Sequence, residues 1–142
     1  MTNERFAAEL SVLGSKLPSN LFKFLDMGTR NPHLVLAART NRGNVYMLYV
    51  DLRGFPDSTP PKVFVSRMLR TRSGADMDSC SSRMHTLTSE HGWTRICHYG
   101  GVSWTPYVSL YKIYVKCRLW LEMYELHLQN GRDIDYYLNH QD

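Results

Sequence analysis

Residues 91–106 read HGWTRICHYGGVSWTP. How this stretch is read places everything else in the chain. Its first half, between Gly92 and Gly100, predicts a strand over Thr94–Tyr99. A cysteine, Cys97, stands in that strand with Arg95 before it and His98 after it. Gly100 and Gly101 leave room around it. A thiol in this setting reads three ways: as buried filler, as a metal ligand or as a nucleophile. A positive neighbour raises the thiolate fraction, while a thiol at a strand end is as often simply packed, so the local features leave the three readings open.

Outward toward the C-terminus the pattern is plain. From Pro106 to Gln129 there is no glycine or proline. Leu110, Ile113, Tyr114, Cys117, Trp120, Leu121, Tyr124 and Leu128 form one apolar stripe at helical spacing. Thr105-Pro106 is the expected start of this helix and Asn130-Gly131 its end. The closing RDIDYYLNHQD, residues 132–142, predicts a short helix capped by Asp133.

Outward toward the N-terminus, residues 71–83 are small and polar and read as a loop. FPDSTPPKVFVSRML, residues 55–69, gives a proline-punctuated loop and a strand starting near Lys62, since tandem prolines cannot donate to a sheet ladder. Two apolar runs, HLVLAART and VYMLYVDLRG, flank residues 41–44 as a hairpin. Leu21, Phe22, Phe24 and Leu25 lie in a linking stretch before it. Residues 3–17 place Phe6, Leu10, Leu13 and Leu17 on one helical face, with Thr2 or Asn3 as cap and Pro18 just past the end. Strands in one block with helices at both ends predict an α+β fold: an N-terminal helix, a four-stranded antiparallel meander, a loop carrying Cys97, then a long helix and a short one.

The totals agree with a single domain. There are 142 residues, 43% hydrophobic and 21% charged, which fits a folded globular chain. No run approaches the ~18–20 apolar residues needed to span a bilayer. The N-terminus has early acids and no continuous apolar segment, so no signal peptide is expected and the chain reads as cytoplasmic. Three cysteines are an odd, sparse set that suits reduced thiols. The net charge of +4, with Arg outnumbering Lys twelve to five, is mild for a nucleic-acid binder. Arg67, Arg70, Arg72, Arg83 and Arg95 come with no nucleic-acid motif, so neither nucleic acid nor a membrane is expected as a partner.

Among the thiols, Cys117 falls on the buried stripe and reads as core, and Cys80 in its serine-rich loop reads as an exposed thiol. Cys80, His85, His91, Cys97 and His98 are zinc-competent, but no C-x-x-C or H-x3–5-H pair organises them, so no metal or other cofactor is expected. A cysteine–histidine hydrolase would need His33, His85 or His98 as base.

The order of landmarks resembles the ubiquitin-conjugating enzyme superfamily over essentially the whole chain. FPDSTPPKVFV corresponds to the family's Tyr-Pro…Pro-Pro segment, MHTLTSE to its His-Pro-Asn motif, GWTRIC to its Gly-x-Ile-Cys, and SWTP to its Trp-x-Pro. Trp104 lies seven residues after Cys97, close to the family spacing. The ending RLWLEMYELHLQNGRDIDYYLNHQ is similar to divergent bacterial members encoded in ubiquitin-like conjugation operons, some of them antiviral. The resemblance implies Cys97 as a thioester nucleophile. It implies His98, or backbone N–H groups near Gly100-Gly101, as oxyanion donors, with His98 also available to hold the thiolate or act as base. His85 would hold the loop, and an acid after the long helix, Asp133 or Asp135, would help the nucleophile. Trp104 would pack under the loop and open the helix.

The implied partners are a ubiquitin-like protein, an activating enzyme meeting the N-terminal helix at Arg5 and Lys16, and a target protein. The alternatives are a non-catalytic binding module of the same fold and a zinc-stabilised interaction domain. Two departures from the family stand out. Thr86 and Leu87 follow His85 where the family has proline and asparagine, and Gly92 is five residues before Cys97 instead of three.

Overall fold

The computed structural model describes residues 1–100 and 103–138. Their order is α1 (Asn3–Lys16), β1 (Phe22–Leu25), β2 (His33–Arg39), β3 (Val45–Asp51), β4 (Val63–Val65), β5 (Thr86–Glu90), β6 (Trp93–Ile96), α2 (Leu110–Asn130) and α3 (Ile134–Leu138). The fold is α+β, as expected. Every strand pairing is antiparallel, and the spatial order is β1-β2-β3-β4-β6-β5. Helix α2 packs on β2, and α1 and α3 pack on α2.

Strand alternation decides which side chains meet the helices. Leu34 and Leu36 of β2, Leu48 and Val50 of β3, Val63 and Val65 of β4 and Ile96 of β6 point into one core with Leu13, Leu110, Ile113, Trp120 and Leu121. Each such side chain contributes about 1.5–3 kcal/mol by leaving water. The alternate positions carry Tyr49, Phe64 and Trp93, whose rings contact one another on the opposite face.

Among the described residues the sheet has six strands, not the expected four. The linking stretch forms β1, which pairs Phe22 with Leu36 and Leu25 with His33. Four residues are too few to reveal a period, but the Phe22/Phe24 alternation is there. Phe24 then meets Phe6 of α1 edge-on at 4.9 Å between ring centroids. The second addition is β5, which pairs with β6 across His91-Gly92. Both turn residues have positive φ, 60° and 72°, the backbone that a two-residue hairpin turn demands. Strand β6 ends at Ile96, so Cys97 lies just past it instead of within a strand reaching Tyr99.

Helix α2 begins at Leu110, four residues later than Thr105-Pro106 predicts. Ser109 supplies the cap, its hydroxyl accepting from Lys112 N–H at 3.1 Å. Its end is as expected: Gly131 has φ 78° and donates to the His127 carbonyl at 2.8 Å. The stripe is buried from Leu110 to Tyr124, but Leu128 is exposed and His127 takes the inward place. In α1, Thr2 is the cap, and the buried face passes through Glu9 and Leu13 while Leu10 points outward.

Candidate functional site

Cys97 is positioned from two sides. Ile96 before it is paired with Val63 of β4 and with Thr86 of β5. Its own N–H donates to the His85 carbonyl at 2.9 Å. Two clefts meet at this point. The first, about 680 Å³, lies between residues 51–62 and the end of β6. The second, about 430 Å³, lies between residues 80–87, one face of α2, and α3. Cys97, His98, Leu87 and Gly100 line both.

The first cleft has a charged rim and a rigid wall. Arg53 grips Asp51, the closest approach being 2.6 Å. Partial burial pushes the Asp51 carboxyl up, but the bonds and charge of Arg53, with Lys62 behind it, hold it below the ordinary carboxylate range. Lys62 in turn bonds Glu90 at 2.7 Å and holds that carboxyl down as well. The wall is fixed by donors from beyond Cys97. His98 Nε2–H donates to the Pro61 carbonyl at 2.8 Å, and Trp104 Nε1–H donates to the Asp57 carbonyl at 2.8 Å. Tyr99 rests edge-on against Trp104, and Lys116 lies 4.3 Å over the Tyr99 ring. Trp104 therefore packs under the loop as expected, but it lies six residues before α2 and does not open it.

His98 is a correction to the expectation of a base near neutral pH. Burial, chiefly, lowers its pKa to about 4, with Arg95 and Lys116 adding to the effect and the Pro61 bond opposing it. Its Nε2–H is committed to Pro61, so it is not an oxyanion donor either. Its Nδ1 is buried and, among the described residues, has no hydrogen-bond partner; Arg95 Nε is in the same position.

The second cleft brings together Cys97, His85 and Asp135. His85 Nε2–H donates to Asp135 Oδ1 at 2.7 Å. His85 has φ 51°, an uncommon backbone for a residue with a Cβ. It is held there by the paired Ser81–Thr86 backbone bonds, 3.1 Å each, and by Trp120 Nε1–H donating to the Met84 carbonyl at 3.0 Å. The acid at the site is thus Asp135. Asp133, the other candidate, is drawn off by Arg83, which donates to it at 2.8 and 3.2 Å, and it lines neither cleft. Asp133 does sit at the cap position of α3, but its carboxylate serves Arg83.

Other candidates fall elsewhere. His33 stacks on Tyr49 at the far face of the sheet, and His91 packs there against Phe64 and Trp93. Among the described residues, no group of three or more His, Cys, Asp or Glu is placed to hold a metal. Cys80 is exposed and lines the second cleft, and Cys117 is buried. The scattered arginines are mostly engaged internally: Arg67 lies over Tyr46, Arg70 pairs with Asp76, Arg95 approaches Glu90. Gly101 lies outside the described residues. No helix among the described residues is long and apolar enough to cross a membrane.

Arg5 is not free for a partner. Its guanidinium donates to the Pro106 and Val108 carbonyls at 2.7 and 3.1 Å and pairs with Glu9 at 3.0 Å. Glu9 accepts from Leu110 N–H at 2.9 Å. The N-terminal helix is thereby tied to the far end of the loop that follows Cys97. Sequence reasoning missed Lys116, Leu119 and Pro61 as site residues. Lys116 was within reach, because it stands one turn from Trp120 on the same face. Comparison with family profiles, with curated proteins and with solved structures returns no match.

Proposed function

We propose that the chain is an acyl carrier of the ubiquitin-conjugating type, acting in a bacterial conjugation pathway. Cys97 attacks the thioester carbonyl of a ubiquitin-like protein held on an activating enzyme. A new C–S bond forms, and the activating enzyme's thiolate leaves. Cys97 then passes the acyl group to an acceptor on a target protein. The observation that carries this reading is the place of Cys97, where two clefts meet. A carrier needs two approaches to one thiol, one for the tail it holds and one for the acceptor. The first cleft, with its backbone wall and charged rim, suits an extended tail. The second suits the acceptor. With the family's asparagine missing and His98 committed to Pro61, backbone N–H groups around Gly100 are the donors this reading requires for the oxyanion. The activating enzyme would meet the outer face of α1 near exposed Leu10 and Val12, with Lys16 at its end, and not through Arg5.

The test combines the protein with a candidate activating enzyme, its ubiquitin-like protein and ATP, resolved on a non-reducing gel. A thiol-sensitive adduct is expected in wild type, Cys80→Ala and Cys117→Ala and absent in Cys97→Ala. Cys97→Ser is expected to trap a thiol-resistant ester. An adduct that survives Cys97→Ala sinks the assignment. No adduct with any such pair favours a binding-only domain.

A further inference from the structure

We infer that His85, oriented by Asp135, is the base that accepts the proton when an aliphatic amine attacks the Cys97 thioester, and that the second cleft admits that amine. This rests on the carrier reading above and names the acceptor chemistry of the same site. Two histidines adjoin Cys97, and only one is built for the task. His98 gives its N–H to a backbone carbonyl and stays neutral at working pH. His85 gives its Nε2–H to a carboxylate at 2.7 Å. That bond fixes the tautomer, places the lone pair on Nδ1, and provides a counter-charge for the imidazolium that forms. The backbone of His85 is bonded directly to that of Cys97 at 2.9 Å, so the segments that carry base and nucleophile are joined.

The cleft walls identify the acceptor. Leu87, Leu119 and Leu138 offer apolar contact for a methylene chain that carries the amine toward Cys97. The other charged or titratable groups on this cleft are Lys116 of α2, Cys80, Cys97 and His98. Lys116 lies over Tyr99, and its charge favours the neutral, nucleophilic form of an arriving amine. In the reaction the amine nitrogen bonds to the thioester carbon and its proton passes to His85 Nδ1. The tetrahedral intermediate then breaks the C–S bond and releases Cys97 as thiolate. The products are an amide and the restored cysteine, with the proton returned to solvent or to the thiolate. His85 is the catalytic residue and Asp135 a positioning residue.

The test needs no partner protein. In a Cys80→Ala background, Cys97 is loaded by thiol exchange with the mercaptoethanesulfonate thioester of a short glycine-ending peptide, and intact mass follows its discharge. Free lysine and hydroxylamine serve as acceptors. His85→Asn suits the left-handed backbone, and Asp135→Asn keeps an acceptor for Nε2–H. Loading of each variant is measured first, and discharge is followed only on the loaded fraction. Discharge to lysine at neutral pH should slow about 100-fold in His85→Asn and about 10-fold in Asp135→Asn. Discharge to hydroxylamine, which is unprotonated at neutral pH, should change far less. Parental lysine discharge in His85→Asn would overturn the inference while leaving the carrier reading intact. Equal losses with both acceptors would overturn it in favour of a structural role. If the parent's Cys97 takes no acyl group, the carrier reading fails and the inference fails with it.

Discussion

The two walls beside Cys97 each contain a histidine, and they use it in opposite ways. On the first wall His98 is bonded to a peptide carbonyl, shut away from water and held neutral. On the second wall His85 is bonded to a carboxylate at the rim of a cleft. A carbonyl offers a bond but no charge, so it does not offset the desolvation of an imidazolium; a carboxylate does. The same ring is a structural pin on one side and, in the proposed reaction, the proton acceptor on the other. The acids repeat the lesson two residues apart. Asp133 is tied to Arg83 on the surface, while Asp135 reaches the site.

Three perturbations separate the walls further. The largest is Trp104→Ala, which empties a buried ring site and removes the donor to the Asp57 carbonyl. A loss of about 3–5 kcal/mol in urea unfolding is expected. Loading of Cys97 should fall in the variant even where it remains folded, since the first wall loses its brace.

Next is the pH dependence that His98 imposes. Folded, it holds a proton only below about 4, against 6.5 for an exposed imidazole. As pH falls, the unfolded chain protonates first. The His98 contribution is therefore full above 6.5 and is lost progressively down to about 4. The loss amounts to at most ~3 kcal/mol. His98→Gln, which keeps an N–H for Pro61, should reduce the slope of stability against pH in that window. An unchanged slope in urea titrations would place the histidine outside the desolvated wall.

The smallest is Asp133→Asn. It should leave loading and lysine discharge unaltered, in contrast to Asp135→Asn. A discharge defect would mean that the acids are wrongly sorted.

The sequence was most legible where many residues repeat one signal. The α2 stripe, the glycine at its end and the central hairpin are period and turn chemistry written over long runs. It was least legible in short pieces. Strand β5, Thr86–Glu90, is polar and half-buried and has no period to detect, and only the His91-Gly92 turn betrays it. The start of α2 went wrong because proline marks a first turn weakly, while Ser109 and the distant Glu9 settle it by hydrogen bonding. Cys97 and His85 are named through the resemblance to the conjugating-enzyme motifs, and the fold puts both on one cleft. Which acid joins them could not be named, because Asp133 and Asp135 differ only in which arginine or histidine the tertiary fold brings near.

The Glu9–Leu110 bond has a consequence for how the chain is born. The two residues are 101 positions apart. At synthesis rates of about 5–20 residues per second, the carboxylate is made roughly 5–20 seconds before its partner exists. During that interval α1 carries, on the face it will later bury, an acid whose backbone partner in α2 does not yet exist. The first helix is therefore expected to dock last, closing over a sheet already formed, and a nascent chain stalled before residue 110 should leave residues 3–16 open to protease.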